Sequence, residues 1–171
     1  MNPAESLAQQ LHLLPHPEGG YYRETYRSTA AIPQSALPGY LGDRQHSTAI
    51  YFLLTAGNFS AFHRIRQDEV WHFYSGDPVE VIEISPEGAL IITELGTDFA
   101  AGQVPQHVVP GGAWFGSRVK AGGEYGLTGC TVAPGFDFAD FELAERSMLT
   151  GMFPEHTSLI AGLTRQCKEG L

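Results

Sequence analysis

Residues 57–76 read Gly57-Asn-Phe-Ser-Ala-Phe-His63-Arg-Ile65-Arg-Gln-Asp-Glu69-Val-Trp-His72-Phe-Tyr-Ser-Gly76. This pattern predicts two short strands, residues 60–65 and 69–74, joined by a polar turn at residues 66–68. His63 and Glu69 stand among bulky apolar residues, so we expect both side chains to line a cavity that excludes bulk water. An imidazole and a carboxyl group in such a cavity are suited to acid–base chemistry or to metal binding.

The spacing of this segment resembles the first motif of the cupin superfamily, Gly-x5-His-x-His-x3-Glu-x6-Gly. Gly57, His63, Glu69 and Gly76 fall at the motif's positions, whereas Ile65 stands where the second histidine is expected. Four further segments resemble the cupin 5 branch, whose function is largely unassigned: His16-Pro17-Glu18-Gly19-Gly20-Tyr21-Tyr22-Arg23-Glu24-Thr25-Tyr26, Asp68-Glu69-Val70-Trp71-His72, Gly76-Asp77-Pro78 and Gly129-Cys130-Thr131-Val132-Ala133-Pro134-Gly135-Phe136. The resemblance covers roughly residues 13 to 153 and implies a jelly-roll β-barrel.

The rest of the chain favours the same fold class without the resemblance. Short strand-like segments separated by Gly and Pro turns are typical of a sandwich or barrel. The predicted strands are residues 20–28, 47–55, 78–84, 89–95, 102–109, 113–119 and 124–132. We therefore expect an all-β protein, a double-stranded β-helix, with a barrel core at about residues 18–135.

Short helices are predicted to flank the barrel at both ends. Asn2 as cap, Pro3 and Glu5 mark the start of a helix over about residues 3–13. After the barrel, helices are predicted within about residues 138–163: the first at 140–149, capped by Asp137 or Asp140, and the second at about 154–163. Residues 164–171 are polar and predicted to fray, and the loop at 30–45 is a candidate cover for the barrel mouth.

Length and charge limit the classes of function. The 171 residues suit one domain, spanning 1–171, with room for a ligand cavity. The net charge of −9, with Lys120 and Lys168 as the two lysines, disfavours nucleic-acid binding. No signal-peptide pattern and no apolar run of membrane length is present, which predicts a cytoplasmic protein without membrane contact. Cys130 is expected to be a free buried thiol, not bonded to Cys167.

The sequence departs from the usual metal site of the superfamily. The second motif, Gly-x5-Pro-x-Gly-x2-His-x3-Asn, should fall near residues 104–119, yet Phe115 replaces the histidine and Val119 the asparagine. Catalytic metal sites normally use three or more protein ligands, and only His63 and Glu69 are retained. We therefore expect no metal cofactor. His72 would supply a third ligand only if its strand bulged, because alternation otherwise places it on the opposite face.

A cavity without metal suggests a different use for the histidine. Metal-independent sugar-nucleotide epimerases of the superfamily keep a histidine on the same strand, where it removes a proton next to a carbonyl group. The resemblance thus implies His63 as a base, oriented by Glu69 or exchanging protons with it, with His72 as a further candidate. The alternative is that His63 and Glu69 form a hydrogen-bonded structural pair.

Other polar and aromatic side chains are candidates for ligand contacts. Residues of the 20–28 strand could line the cavity, or the strand could join the sheet of a partner subunit. The two tryptophans could stack on a sugar ring or a nucleobase, or could belong to the core. Tyrosines are candidate proton donors opposite His63, and a single arginine could clamp an anionic group. The candidates are Tyr22, Arg23, Glu24, Tyr26, Trp71, Gln106, Trp114 and Tyr125.

Three functional hypotheses follow. The first is a metal-independent isomerase or epimerase that acts on a sugar or nucleotide-linked ligand by acid–base chemistry. The second is a cupin that binds a metabolite without transforming it. The third, with weaker support, is a metal-dependent oxygenase or isomerase. A small-molecule ligand and a homodimer are the expected partners.

Overall fold

A computed structural model describes residues 2–166. The prediction for Cys167 and the last five positions of the predicted frayed tail lie outside this range. The helices are α1 (Pro3–Gln10), α2 (Arg146–Met152) and α3 (Thr157–Gly162). The strands are β1 (Leu14–Pro15), β2 (Tyr21–Arg27), β3 (Ala31–Ile32), β4 (Arg44–Gln45), β5 (Thr48–Thr55), β6 (Phe59–Arg64), β7 (Asp68–Gly76), β8 (Val79–Ile84), β9 (Leu90–Leu95), β10 (Gln106–Val109), β11 (Trp114–Val119), β12 (Tyr125–Ala133) and β13 (Glu142–Leu143).

Two antiparallel sheets form the body of the molecule. The first has the strand order β1-β2-β5-β12-β7-β10, and the second has the order β13-β6-β11-β8-β9. Strands β3 and β4 form a separate pair. Within residues 2–166 the two large sheets are not joined into one closed ring of strands, so the molecule is a jelly roll of two facing sheets. The all-β jelly-roll prediction is confirmed.

Alternation along the strands places one apolar layer between the sheets. Phe52 and Trp71 from the first sheet pack in the same cluster as Val81 and Phe115 from the second. These side chains are essentially inaccessible to solvent. The layer between the sheets is therefore apolar except where polar side chains enter it.

Helices cover parts of the outer faces. Leu149 of α2 and Ile160 of α3 pack with Phe62, Ile82 and Trp114, which point away from the inner layer of the second sheet. Helix α1 begins with the predicted capping box of Asn2 and Glu5 and covers one end of the first sheet. Among residues 2–166, no helix has the length and apolar character needed to cross a membrane.

The structure corrects the predicted helix at residues 140–149. Asp137 caps a 3-10 turn at Phe138–Asp140, the chain then pairs with β6 at Glu142–Leu143, and α2 starts only at Arg146. The Asp140 side chain is buried in an ion pair with Arg44, so it is not available as a helix cap. A tertiary contact thus overrides the local helical pattern.

Other boundaries differ by a few residues. Helix α1 ends at Gln10 instead of about residue 13, and His12 adopts a positive φ of 53°. The predicted strand at 102–109 starts only at Gln106. Thr164 is buried: it donates to the carbonyl of Ile160 and accepts from Arg146, so the chain is ordered to that point rather than frayed.

Candidate active site

A cavity of about 540 Å³ lies between the two sheets and is lined by residues of β2, β5, β6, β7 and β12 together with the segment 136–141. Polar side chains enter it among aliphatic and aromatic ones. The lining residues are Leu14, His16, Glu18, Tyr22, Arg23, Glu24, Arg27, Thr48, Ile50, His63, Ile65, Glu69, Cys130, Val132, Phe136, Asp137, Phe138 and Phe141. None belongs to the loop at 30–45, which was a candidate cover for the barrel mouth. The segment 136–141 contributes to the lining instead.

His63 of β6 pairs with Glu18. Nδ1 of His63 lies 2.7 Å from the carbonyl oxygen of Ala61, an acceptor, so Nδ1 carries the ring hydrogen. Nε2 is therefore an acceptor, and it lies 3.1 Å from Oε2 of Glu18. The backbone fixes this arrangement, because the N–H of Ala61 donates to the carbonyl oxygen of Glu18 at 2.8 Å. The predicted partner, Glu69, does not occupy this position.

Burial sets the protonation of the pair. Desolvation raises the pKa of Glu18 well above its usual range, and the charge of Glu69 raises it further. Desolvation also lowers the pKa of His63 to about 3, although its bond to Ala61 opposes this shift. Both shifts favour a carboxylic acid that donates its hydrogen to a neutral imidazole.

Glu69 of β7 is a second carboxyl group in the cavity. Only 8% of the surface of this residue is accessible to solvent. Burial raises its pKa to about 7, and the neighbouring thiol of Cys130, a weak donor, opposes the shift only in part. Near neutral pH, Glu69 is therefore close to half ionised, whereas the upward shift at Glu18 favours its protonated form. The two carboxyl groups offer one proton acceptor and one proton donor.

His16 precedes Glu18 in the same turn and also lines the cavity. Its Nδ1 accepts the backbone N–H of Glu18 at 3.2 Å, so Nε2 carries the ring hydrogen. The ring lies 4.5 Å from that of Tyr22 and 6.3 Å from that of Phe138, measured between centroids. Burial lowers the pKa of His16 to about 4, which leaves this imidazole neutral.

Aromatic rings enclose His63 on two sides. Phe115 lies 4.1 Å from the His63 ring between centroids, and Phe141 stacks on it at 5.3 Å with an interplanar angle of 29°. The Phe141 segment is held by its neighbour Asp140, which accepts from Arg44 at 2.7 and 2.8 Å and from Gln67 at 2.8 Å. This buried anchor fixes the wall of the cavity.

At β2 a bulge decides which side chains face the cavity. The register with β5 shifts between Glu24 and Tyr26, so Thr25 is the extra residue. Arg27 consequently joins Tyr22 and Glu24 at the cavity, while Tyr26 is 54% exposed and does not line it. Arg27 donates to both carboxylate oxygens of Glu24 at 2.8 Å, so its charge is already compensated.

Arg23, also of β2, has a different environment. Its guanidinium lies 5.5 Å from the centroid of the Tyr51 ring, although the residue contributes to the cavity lining. Of the N-terminal candidates, the structure therefore brings Tyr22, Arg23 and Glu24 to the cavity.

The remaining candidates lie elsewhere. His72 is on the opposite face from Glu69, as alternation predicts without a bulge at this point, and it bonds to Thr131 and Gln106. Trp71 belongs to the inner core and Trp114 to the cluster beneath α2 and α3. Tyr125 packs in the cluster beneath α1. His72, Gln106, Trp71, Trp114 and Tyr125 therefore do not line the cavity.

Sequence reasoning missed several residues of the site. His16 and Glu18 stand in the segment His16-Pro17-Glu18-Gly19-Gly20, which carried the family resemblance but was given no chemical role. A histidine and a glutamate before two glycines were the available signal. Phe138 and Phe141 were missed because the region was predicted to be helical.

The donor set does not fit the usual cupin metal. Ile65 and Phe115 occupy two of the four ligand positions and offer no donor atom. Both ring nitrogens of His63 already have partners, Ala61 and Glu18. Across residues 2–166, no group of three or more His, Cys, Asp or Glu side chains is arranged to hold an ion.

Comparison with known proteins identifies a matching family and a relative. A family model described as Cupin superfamily (DUF985) matches residues 5–144. The uncharacterized protein YML079W of Saccharomyces cerevisiae is 32% identical over 151 residues, which cover 81% of this chain and 75% of the relative.

Solved structures show the same fold. Protein SO0799 from Shewanella oneidensis superposes with a TM-score of 0.87 at 43% identity, over 97% of this chain and 99% of that one. An oxalate decarboxylase variant from Bacillus subtilis superposes with a TM-score of 0.55 at 15% identity, over 94% of this chain and 39% of that one. At this identity the second likeness concerns the fold alone.

Proposed function

The chain belongs to the cupin superfamily branch DUF985, and we propose that it is an isomerase or epimerase that moves a proton next to a carbonyl group of a sugar or nucleotide-linked ligand without a metal. The observation that carries the proposal is the contact between Glu18 and His63 at the wall of the cavity. A cavity of about 540 Å³ falls within the range of small-molecule sites.

The roles follow from the protonation states. Glu69, with a pKa of about 7, accepts the proton from the carbon next to the carbonyl group, and the electron pair of that C–H bond passes into the enolate. Glu18, protonated and held by Nε2 of His63, returns a proton to carbon. One proton thus moves from substrate to Glu69 and another from Glu18 to product. Exchange with water then removes the proton from Glu69 and restores that of Glu18. His63 positions Glu18 rather than acting alone, which revises the hypothesis of His63 as the base.

The walls suit a ring-bearing ligand. Phe138 and Phe141 line the cavity beside Tyr22, and aromatic faces stack on sugar rings and nucleobases. Glu24 and Arg27 of β2 form an ion pair at the cavity, and this pair offers hydrogen-bonding atoms to the hydroxyl groups of a ligand. These contacts support a ligand with a sugar-like ring whose carbonyl group is directed towards the carboxyl groups of Glu18 and Glu69.

The experiment is hydrogen exchange in D₂O. Wild-type protein is incubated with nucleoside-diphosphate 4-keto sugars and with free ketoses, and deuterium uptake next to the carbonyl group is followed by NMR. We expect uptake with at least one probe and its loss in His63→Ala, with folding checked by circular dichroism. Equal uptake in both proteins would remove His63 from the mechanism. Binding of a probe without uptake would instead favour a cupin that holds its ligand unchanged.

A further inference from the structure

His16 has no role in the proton transfers described above, yet it is among the most enclosed polar side chains of the cavity. Its side chain is 8% exposed and contributes to the cavity lining. Because Nδ1 accepts from the N–H of Glu18, the remaining hydrogen is on Nε2. Within residues 2–166, this Nε2–H makes no hydrogen bond. This donor lines the cavity with no protein acceptor among the described residues, so an acceptor atom of a bound ligand can pair with it.

The position of His16 is fixed on several sides. Rings of Tyr22 and Phe52 meet it edge-on at 4.5 and 5.8 Å, and those of Phe138 and Phe141 lie at 6.3 and 6.4 Å. The hydrogen bond from the backbone N–H of Glu18 to Nδ1 fixes the orientation of the imidazole ring. The imidazole is therefore held rigidly, two positions from the carboxyl group that exchanges protons in the proposed reaction.

We propose that His16 is the electrophile of the site: its neutral imidazole donates Nε2–H to the carbonyl oxygen of the substrate and stabilises the enolate. This rests on the proposed function, and it restricts the substrate class to ligands whose reacting head is an uncharged ketone or aldehyde. When Glu69 removes the proton from carbon, the electron pair moves through the new C–C double bond onto the carbonyl oxygen. The hydrogen bond from Nε2 strengthens as that charge develops, and the proton stays on His16.

A neutral imidazole suits this role better than an imidazolium. It keeps its Nε2–H throughout the reaction and does not compete with Glu18 for the proton that returns to carbon. The low pKa of His16, caused by burial, is consistent with this state. Loss of a single such donor typically slows a reaction by about 10²–10³-fold.

The restriction to ligands with an uncharged reacting group follows from the charged side chains that line the cavity. Glu18 and Glu69 both line the cavity, Arg27 is paired with Glu24, and the guanidinium of Arg23 lies against the Tyr51 ring. A carboxylate head at this point would add a negative charge beside two carboxyl groups. A ketone or aldehyde oxygen instead receives a hydrogen bond from His16 and adds no charge.

The test uses matched variants in the D₂O exchange assay with the keto-sugar probes. His16→Phe keeps a ring of similar shape without a donor, and we expect deuterium uptake to fall about 100-fold. His16→Gln restores an N–H donor and should recover part of that loss. His46→Phe, at an exposed histidine outside the cavity, is the control and should leave uptake unchanged. Uptake in His16→Phe equal to wild type would overturn the inference.

A second readout does not depend on turnover. In ¹⁵N NMR spectra of the wild-type protein, His16 should be neutral at pH 7 with its hydrogen on Nε2. An imidazolium, or a hydrogen on Nδ1, would overturn the assignment of His16 as donor. Absence of uptake by wild type with every probe would refute the proposed function itself, and the electrophilic role with it. The two failures are therefore distinguishable.

Discussion

Oε2 of Glu18 lies 3.1 Å from Nε2 of His63, and the other nitrogen of that ring is tied to the carbonyl oxygen of Ala61. The second bond fixes the tautomer, so Glu18 must be the donor when both groups are neutral. Burial favours that neutral state by raising the pKa of the acid and lowering that of the imidazole. This neutral state is the one that the proposed proton transfer from Glu18 requires.

Replacement of Glu18 by Gln should separate geometry from proton transfer. The amide N–H of Gln can still donate to Nε2 of His63, but it has no proton to release at neutral pH. We expect the fold to be retained and deuterium uptake to fall by about 10²–10⁴-fold. Glu142→Gln, which alters an exposed pair with Arg64, is the matched control. Unchanged uptake in Glu18→Gln would show that Glu18 is not the donor.

Deuterium uptake should rise with pH through about 7. The base must be ionised, and burial raises the pKa of Glu69 to about 7, so the acceptor form increases across that range. In Glu69→Gln the uptake should be low and independent of pH between 6 and 8. The measurement is a pH series of initial uptake rates for both proteins. A wild-type profile that falls as pH rises would contradict Glu69 as the base.

Stability should decrease in acid because His16 and His63 resist protonation when folded. The pKa of His16 is lowered from 6.5 to about 4, so its contribution is fully present above pH 6.5 and is lost as pH falls to about 4. Glu69 acts in the opposite sense. Its pKa is raised to about 7, so its contribution to the unfolding free energy is present below pH 4.5 and is lost as pH rises to 7.

Comparison of wild type with His16→Phe isolates the histidine contribution. The unfolding free energy of wild type should fall as the pH is lowered from 6.5 to 4. In the variant we expect this fall to be smaller by on the order of 3 kcal/mol, since 1 pKa unit corresponds to about 1.4 kcal/mol. Urea unfolding at several pH values measures this difference. Parallel pH profiles for the two proteins would show that His16 is not buried in a neutral state.

The buried pair of Arg44 and Asp140 should contribute more to stability than an exposed pair. Asp140→Ala leaves a buried guanidinium without its partner and should cost about 3–5 kcal/mol. Glu142→Ala, which removes the exposed partner of Arg64, should cost less than about 1 kcal/mol. Chemical unfolding measures both. Similar costs for the two variants would contradict the structural role of Asp140 in holding the segment of Phe141.

His72 should be dispensable for deuterium uptake. It lies on the face of β7 opposite Glu69 and bonds to Thr131 at 3.0 Å. We expect His72→Ala to retain wild-type uptake and to lose about 1 kcal/mol of unfolding free energy through that bond. A large loss of uptake with unchanged stability would place His72 in the site despite its position.

The strand pattern of the sequence determined a β-sandwich or barrel with His63 and Glu69 entering its interior, and the family motifs implied the jelly roll. Alternation between apolar and polar residues is local, so it fixes the strands and the face on which each side chain lies. It also placed His72 on the face opposite Glu69. The capping box of Asn2 and Glu5 was recognisable for the same reason.

Only the tertiary structure decided which groups meet. Glu18 reaches His63 because the turn after β1 bonds to Ala61 of β6, a contact between distant segments that no periodicity encodes. The bulge at Thr25 exchanged Tyr26 for Arg27 at the cavity. The ion pair of Arg44 with Asp140 replaced a predicted helix by the wall that carries Phe141. Each depends on pairing and burial between segments far apart in the chain, and burial in turn sets the pKa values on which the chemistry rests.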